Sequence, residues 1–444
     1  MKLLAVLLIG QFMALLDTFV VNVAMPVIAV DLHASGATLQ LVVGGYIAAY
    51  AMLLITGARL GDLYGRRRMY LIGVITFTVA SLLCGLAPTS AALVAFRCLQ
   101  GAAAAVLVPQ IMSTIQLHFT GAARARALPA YGVVLAVGAV AGLLVGGVLA
   151  GTGWRPVFLV NVPIGIALAL VVPRAVPADG PRGNRRLDLP GLAVAVPAVL
   201  LVVLPLVLGR ELGWPVWAFA CLAAGLLLAA GFVAVERRAT DPLLDLAVLR
   251  VSGVGAGILT LACMQLAVGG LLFSLTLHLQ ADLGYSPLRT GLAYLPLNVI
   301  FGLVGILWRR LPAAVHPVVA PAGLALVAAG LLLLSYGPLL PAMAVVGVGM
   351  GLSASPLLTQ SLVRVTPAQA PDASGLFTTT MQLSQVVGVA VFGTLFLSLH
   401  GSADALPVTA DWMALLSLAG VVSGVFLTRT VRAARPLAGQ LVGQ

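Results

Sequence analysis

The sequence predicts an all-α integral membrane protein with 14 transmembrane helices, arranged as two six-helix bundles plus two additional linker helices. Of the 444 residues, 61% are hydrophobic and only 8% are charged, whereas ordinary soluble domains carry about 25% charged residues. A chain with so few charged side chains could not cover its surface in water, so its solvent is mostly lipid. The lengths of the apolar runs and the placement of the arginines support the same fold class.

The apolar runs give the number of spans. A helix that crosses a bilayer needs about 20 mainly apolar residues. The first run resembles a signal peptide, but it continues through Asp17 to Ile28 without a small-x-small cleavage site, so we expect it to be retained. The 14 predicted spans are 4–28, 39–60, 69–87, 91–114, 127–150, 156–173, 189–208, 214–234, 253–279, 288–308, 316–335, 338–358, 374–399 and 411–429.

The basic residues test this count independently. Twenty of the 24 Lys and Arg residues fall in alternate loops and ends, on the side that holds both termini, and Arg97 lies within a span. The opposite loops hold Arg155, Arg210 and Arg289. Cytosolic loops carry the excess of Lys and Arg, so both termini are predicted to be cytosolic. These anchors account for the net charge of +11 without a nucleic-acid partner.

Two polar connectors divide the chain. The first separates six spans from the next two, and the second precedes the last six. Six-span bundles on either side of a cleft are a common design for alternating-access carriers. The predicted domains are an N-terminal bundle at 1–173, a linker with two extra spans at 174–250, a C-terminal bundle at 251–435 and a cytosolic tail at 436–444.

Asp17 is the one acidic residue that lies well inside a predicted span. A carboxylate at membrane depth costs about 2.5–3.5 kcal/mol, so we expect it to be functional and to face a cavity. At 1.5 Å per residue, Asp17 lies about 20 Å from the inner edge and Arg97 about 9 Å below the outer edge of a core about 30 Å thick. These depths nearly coincide and predict an ion pair. Two alternatives remain: a purely structural contact, or Arg97 reaching the outer headgroups.

Other polar residues within the spans are candidates for a substrate cavity. Single Gln and Asn residues in membranes often only hydrogen-bond a neighbouring helix, so we expect that about half of them are structural. The cavity candidates are Asn22, Gln100, Gln265, Asn298, Gln382 and Gln385.

A glycine series marks the fifth span. Gly138, Gly142 and Gly146 recur every four residues and therefore share one helix face, with Gly147 adjacent. Without a Cβ, this face allows another backbone to approach closely. We refer to these glycines as the glycine seam. It is either a static packing surface or a surface on which two spans slide, and the sequence leaves both open.

Several motifs carry a resemblance to a known family. The loop Gly57-Ala-Arg-Leu-Gly61-Asp62-Leu-Tyr-Gly65-Arg66-Arg67-Arg68 resembles the cytosolic signature loop of the major facilitator superfamily. It combines a tight glycine turn, a carboxylate and clustered guanidinium groups, which suit a charge latch between helices. Three further segments are similar to motifs of the fourteen-span drug/proton antiporter branch: Leu16 to Pro26, Arg97 to Gly101, and Trp154 to Gly165.

The resemblance implies a proton-coupled exporter of small hydrophobic or amphipathic compounds such as drugs or antibiotics. Asp17 would exchange the proton, Arg97 would tune it, and Asp62 with Arg66 and Arg67 would latch the inner side. It further implies a monomer in the bacterial inner membrane, with no metal or cofactor and no enzymatic activity. The alternatives are a proton-linked importer or facilitator of a metabolite and, more remotely, a membrane enzyme or receptor.

Two departures from the family pattern qualify these implications. Leu143 follows Gly142 where the family motif has proline, so close packing is kept and the proline bend is lost. Exporters of dications in this branch carry extra acids in the second six spans, and here no acid lies well inside that half. The expected substrate is therefore neutral, amphipathic or singly charged.

Overall fold

The computed structural model describes residues 2–178, 189–209, 212–238, 246–312, 314–362, 365, 369–402 and 404–441. This part of the chain is almost entirely helical, as its apolar composition requires: in lipid, the backbone must satisfy its own hydrogen bonds. The α-helices are α1 (Lys2–Asp31), α2 (Gly36–Tyr64), α3 (Arg66–Gly85), α4 (Ser90–His118), α5 (Gly121–Ala150), α6 (Arg155–Leu159), α7 (Asn161–Ala175), α8 (Leu189–Leu208), α9 (Val216–Glu236), α10 (Val254–Leu277), α11 (Pro287–Ala293), α12 (Leu295–Leu307), α13 (His316–Tyr336), α14 (Leu339–Ser361), α15 (Ala370–Ser398) and α16 (Ala405–Leu441).

The fourteen-span prediction is confirmed. Among the described residues, 14 helical segments are long and apolar enough to cross a membrane. Three of them are not single α-helices: α6 and α7 together make the span Arg155–Ala175, α10 continues through a π-helical turn to Asp282, and α11 and α12 make the span Pro287–Arg310. Proline stands in the first turn of both α6 and α12, where its missing N–H breaks no helical bond.

The chain forms two compact units. Unit 1 comprises Met1–Leu243 and Leu275–Leu292, and unit 2 comprises Leu244–Ser274 and Ala293–Gln444. The two additional spans, α8 and α9, thus belong to unit 1. The predicted division into domains at 1–173, 174–250 and 251–435 stays a prediction. Some of the predictions concern residues outside the part of the chain that the structure describes: linker residues 179–188 and 239–245, Arg210, and tail residues 442–444.

Unit 1 is held together by close helix–helix packing. Here α1 packs on α5, α4 packs on α2 and α3, and α8 packs on α9. The approach of α2 to α4 depends on glycine: a Cβ on Gly57 would collide with the Ala105 carbonyl, and one on Gly101 with the Tyr46 carbonyl. The end of α1 is tied to the start of α6 because Asp31 accepts bonds from Trp154 (2.6 Å) and Arg155 (2.7 Å).

Unit 2 uses the same small-residue packing. In this unit α13 packs on α14 and α16, and α12 packs on α14. The helices α10 and α15 approach through two glycines, since a Cβ on Gly269 would meet the Gln385 carbonyl and one on Gly388 the Leu266 carbonyl. Membrane helices lack a hydrophobic driving force for association, so such close contacts supply much of the packing energy.

Candidate functional site

The candidate site in unit 1 is built around Asp17, in the middle of α1. The carboxyl group has no exposed surface. Its oxygen atom Oδ2 lies 2.6 Å from Arg97 Nη1 on α4. The other oxygen, Oδ1, accepts a bond of 2.7 Å from Gln100 Nε2 and one of 2.9 Å from Asn161 Nδ2, on α7. The carboxylate thus receives three donors from two other helices.

Arg97 is buried as completely as its partner, with 1% of its surface exposed. Its Nε donates to the Val42 carbonyl of α2 (3.1 Å) and its Nη1 donates to Gln100 Oε1 (2.7 Å). The guanidinium carbon lies 4.3 Å from the centroid of the Tyr46 ring, a cation–π distance. The predicted pairing of Asp17 with Arg97 is therefore confirmed, and the alternative that Arg97 reaches the headgroups is wrong.

Ser81 of α3 completes the polar group. Its hydroxyl donates to the Phe158 carbonyl (2.9 Å) and accepts from Gln100 Nε2 (3.1 Å) and Asn161 Nδ2 (3.0 Å). We refer to Asp17, Ser81, Arg97, Gln100 and Asn161 as the Asp17 cluster. The sequence did not identify Ser81 or Tyr46 as part of a site. Asn161 appeared only inside the Trp154 to Gly165 motif, without an assigned partner.

The Asp17 cluster carries no net charge and is closed to solvent. One carboxylate and one guanidinium lie in an interior where an unpaired charge would be very costly. The expectation that Asp17 faces a cavity is wrong for this conformation, because Arg97, Gln100 and Asn161 fill the space around its carboxyl group. Such a group can bind a proton only after the surrounding helices open or the ion pair separates.

The unit 1 candidates for a substrate cavity are satisfied internally. Gln100 has no exposed surface, and both of its polar atoms are bonded within the cluster, so it does not line a cavity in this conformation. Asn22 donates to the Thr18 (3.0 Å) and Phe19 (3.4 Å) carbonyls of its own helix. In this conformation Asn22 therefore bonds its own helix and Gln100 belongs to the Asp17 cluster, and a role of either residue in substrate binding stays a prediction.

The other four candidates lie in unit 2. Asn298 on α12 donates to the Tyr294 carbonyl one turn earlier, at 3.0 Å. Gln265 on α10 is 8% exposed. Gln382 and Gln385 on α15 are half-buried. Their role in substrate binding stays a prediction.

The glycine loop between α2 and α3 forms the predicted tight turn. Gly65 has φ +94°, in the region that favours glycine. Asp62 and Arg66 form an ion pair of 2.6 Å across this turn, with 48% and 27% of their side chains exposed. Gln110 of α4 donates to the Gly57 carbonyl (2.8 Å), and Gly61 packs on the same glutamine. Arg67 is partly buried. A latch role for this loop stays a prediction.

The glycine seam of α5 packs on α1 on both sides of Asp17. A Cβ on Gly142 would lie 2.7 Å from Phe19 Cβ and 2.9 Å from the Leu16 carbonyl, and one on Gly146 would lie 2.9 Å from the Val20 carbonyl. A Cβ on Gly138 would lie 3.0 Å from Leu15 Cβ. The predicted shared face is confirmed.

Gly147 lies on another face of α5. A Cβ there would come within 2.6 Å of the Leu288 Cα in α11. The structure thus gives α5 two close contacts, and whether the α1 seam slides remains open.

Comparison with known proteins places the chain in a family. A profile of the Major Facilitator Superfamily matches residues 7–389. The chain is 39% identical to a probable actinorhodin transporter of Streptomyces coelicolor over 425 residues, covering 90% of this chain and 73% of that protein. It is 38% identical to a cephamycin export protein of Amycolatopsis lactamdurans (87% and 83% covered). It is 35% identical to a puromycin resistance protein of Streptomyces alboniger (91% and 85% covered).

Solved structures show the same fold at low sequence identity. The peptide transporter PepTSo superposes with a TM-score of 0.72 at 13% identity, covering 97% of this chain and 98% of that chain. An inward-facing bacterial homolog of the human lysosomal transporter Spinster gives 0.69 at 18% identity, with 97% and 96% covered. The chain is therefore an integral membrane transporter and not an enzyme, and it belongs to the Major Facilitator Superfamily, in the fourteen-span branch that resembles drug/proton antiporters.

Proposed function

We propose that this protein exports small hydrophobic or amphipathic compounds, such as antibiotics, in exchange for protons. Relatives that are 35–39% identical bear names that refer to actinorhodin transport, cephamycin export and puromycin resistance. The sequence similarity covers nearly the whole chain, so a shared class of cargo is the simplest interpretation.

The observation that carries the proton-coupling part is the burial of Asp17 against Arg97. A protein that needed only helix packing at this point could use apolar residues, which are often as stable as a buried ion pair or more stable. An ionisable pair at membrane depth is instead typical of functional sites, among them the proton relays of transporters. One proton entering the cell contributes about 2.3 kcal/mol per 100 mV of membrane potential, which is sufficient to drive export.

The proposed cycle uses the ion pair as the coupling element. Protonation of Asp17 removes its negative charge and weakens its hold on Arg97, which frees α1 and α4 to separate. Loss of the proton restores the pair and draws the two helices together again. Asp17 thereby links proton occupancy to the packing of unit 1, and alternating access follows if its carboxyl group opens to one side of the membrane at a time.

The substrate class follows from the polar groups of unit 2. In the described part of this unit the buried polar side chains are all uncharged, among them Gln265 and Asn298. Uncharged side chains of this kind can hydrogen-bond a neutral or singly charged compound but offer no counter-charge for a dication. Growth protection against a panel of antibiotics of different charge tests the substrate class. Comparing wild type with Asp17→Asn in the same assay tests whether export requires Asp17.

The membrane arrangement is part of the same proposal. Both termini are cytosolic, the protein acts as a monomer in the bacterial inner membrane, and the bundles at 1–173 and 251–435 form the two halves of the transport unit. The charge asymmetry of the loops supports this orientation. A cysteine introduced in place of Arg68, at the α2–α3 turn, should react with a membrane-impermeant maleimide in inverted vesicles and stay unreactive in intact cells.

Inverted vesicles test the coupling directly. With an imposed interior-acid gradient, adding a transported antibiotic to wild-type vesicles should release stored protons. Vesicles that contain Asp17→Asn at equal amount should release none. A proton-linked importer or a facilitator would not show this substrate-induced release. Wild-type vesicles that release no protons when the antibiotic is added would therefore overturn the proposal.

A further inference from the structure

The partners of Asp17 in this conformation are all hydrogen-bond donors. Arg97 donates to Oδ2, while Gln100 and Asn161 both donate to Oδ1. Such an arrangement suits an ionised carboxylate, which only accepts hydrogen bonds. A protonated carboxyl group carries an O–H and needs an acceptor, because a buried unpaired donor is costly. If Asp17 binds a proton, at least one of its partners must change.

Within the Asp17 cluster, one side-chain oxygen is free to become that acceptor. Asn161 has no exposed surface, and its Oδ1 has no hydrogen-bond partner among the described residues. Gln100 Oε1, by contrast, already accepts from Arg97 Nη1 at 2.7 Å and from Cys84 Sγ at 3.6 Å. Turning the glutamine amide would place its NH2 group against the guanidinium, so Gln100 is held in its donor orientation.

The orientation of Asn161 follows from its neighbours. Its Nδ2 lies between Asp17 Oδ1 and Ser81 Oγ, whose hydrogen is committed to the Phe158 carbonyl. Both neighbours therefore act as acceptors, and the amide nitrogen has to face them while Asp17 is ionised. When Asp17 is protonated, its O–H needs an acceptor and therefore favours the amide oxygen of Asn161. Ser81 Oγ still favours the amide nitrogen.

We propose that Asn161 is a switchable positioning residue, whose amide donates to the ionised Asp17 and, after rotating by about half a turn, accepts a hydrogen bond from the protonated one. This inference rests on the proposed function, because it requires Asp17 to exchange a proton. Without rotation, protonation leaves two buried groups unpaired, the Asn161 oxygen and the new O–H. With rotation, the new O–H and the Asn161 oxygen pair with each other. The Asn161 NH2 group is then unpaired, and Ser81 Oγ loses its bond from Asn161 but keeps those to the Phe158 carbonyl and from Gln100. The turn thus supplies the acceptor that the buried proton needs.

Titratable and charged side chains pack against α1 from each neighbouring helix, and three of them lie near the carboxyl group. Arg97 comes from α4, Tyr46 from α2 and Cys84 from α3. On α5, Tyr131 donates to Gln11 of α1 (3.2 Å), and next to α6, Arg155 binds Asp31 at the far end of α1. These side chains set the electrostatic background, whereas the Asn161 amide supplies both a donor and an acceptor within reach of Asp17.

Infrared difference spectroscopy of the wild-type protein tests the switch. The chain has four asparagines, Asn22, Asn161, Asn184 and Asn298, so labelling asparagine with carbon-13 isolates few side-chain amide bands. The Asn161 band is the one that Asn161→Leu removes, or Asn161→Ser if the leucine variant does not fold. Asn298→Leu identifies a control band in unit 2. Spectra of reconstituted protein are recorded at alkaline and acidic pH, with Asp17→Asn as the reference.

The proposal expects two coupled changes on acidification. A carboxyl C=O band assigned to Asp17 should appear, and the Asn161 amide C=O band should move to lower frequency as its oxygen gains a hydrogen bond. Asp17→Asn should show neither change, and the Asn298 band should stay fixed. A titrating Asp17 band with an unmoved Asn161 band would overturn the switch alone. The lack of any Asp17 band throughout the titration would overturn proton exchange itself, and the switch with it.

Discussion

The two units of this transporter treat buried polarity in different ways. The charged side chains that are buried in the described part of the chain, Asp17, Arg97 and Glu236, all belong to unit 1. Unit 2 buries hydroxyl and amide groups, and many of its hydroxyls bond within their own helix, such as Ser417 to the Met413 carbonyl (2.9 Å). The glycine contacts are similar in both units, so helix packing alone does not explain the difference.

This contrast indicates a division of labour. A buried ion pair is a poor way to gain stability, but it is sensitive to a single proton. Uncharged amides and hydroxyls are insensitive to pH and can bind varied compounds. We infer that unit 1 responds to protons and that unit 2 contributes to the choice of substrate. The following variants test this division, in order of decreasing expected effect.

The largest effect is expected when Arg97 is removed alone. Arg97→Leu leaves the Asp17 carboxylate buried without a counter-charge, which should lower the free energy of unfolding by about 3–5 kcal/mol. The double variant Asp17→Asn/Arg97→Leu removes both charges and should recover most of that loss. Unfolding in detergent measures both, with Ser417→Ala in unit 2 as a control of small effect. Equal stability of the Arg97→Leu variant and the wild type would show that the cluster is not energetically coupled.

The next effect concerns the contact of α5 with α1. In Gly142→Ala the new methyl group would lie 2.7 Å from Phe19 Cβ, so the helices must move apart. We expect a loss of about 1–3 kcal/mol in the free energy of unfolding, typical of overpacking. Gly132→Ala on the same helix is a matched control, because no atom lies within 4 Å of its Cβ position. A Gly142 variant as stable as the Gly132 variant would argue against a tight seam.

A smaller effect is expected in unit 2. Gln265→Leu removes a polar group that is expected to bind substrate, and a typical hydrogen bond of about 0.5–1.5 kcal/mol corresponds to a change in apparent KM of about 2- to 13-fold. The number of protons exchanged per substrate should stay the same. Thr260→Val is the control, since that hydroxyl bonds the Ala256 carbonyl of its own helix. A change in proton stoichiometry in Gln265→Leu would contradict the division between the units.

The smallest effect on stability is expected at the α2–α3 turn. Asp62→Asn removes an exposed ion pair with Arg66, and such pairs contribute at most about 1 kcal/mol. If the loop is a latch, the transport rate should nonetheless change, while Arg68→Gln, which removes one charge of the opposite sign from the exposed side of the same turn, leaves the rate unaltered. The transport rate and the free energy of unfolding, measured on the same preparations, separate an effect on the latch from an effect on stability. Equal rates in both variants would remove the latch role.

The sequence was sufficient to predict the spans and one contact of the site. Apolar runs depend only on local composition, so all 14 spans were predicted, and the depths of Asp17 and Arg97 along their helices could be estimated from the rise per residue. Depth, however, does not fix the rotation of a helix about its axis. The same estimate therefore left open whether Arg97 turns towards Asp17 or towards the headgroups.

The remainder of the site depends on packing that no local pattern encodes. Ser81 and Asn161 are separated by 80 positions in sequence, yet they lie 3.0 Å apart. A single serine in an apolar helix looks the same in sequence whether it bonds side chains of several other helices, as Ser81 does, or only the backbone of its own helix. The assignment of residues 275–292 to unit 1 is likewise a property of the folded chain. The enclosure of Asp17 was missed because burial depends on the side chains of four other helices.

The most direct test of the account separates substrate movement from proton movement in one variant. Asp17→Asn, reconstituted in vesicles, should still exchange labelled antibiotic for unlabelled antibiotic across the membrane, at a rate within a few-fold of the wild type. The same vesicles should fail to accumulate the antibiotic when a pH gradient is imposed. Accumulation driven by that gradient in Asp17→Asn would contradict the central claim that this one buried acid couples protons to export.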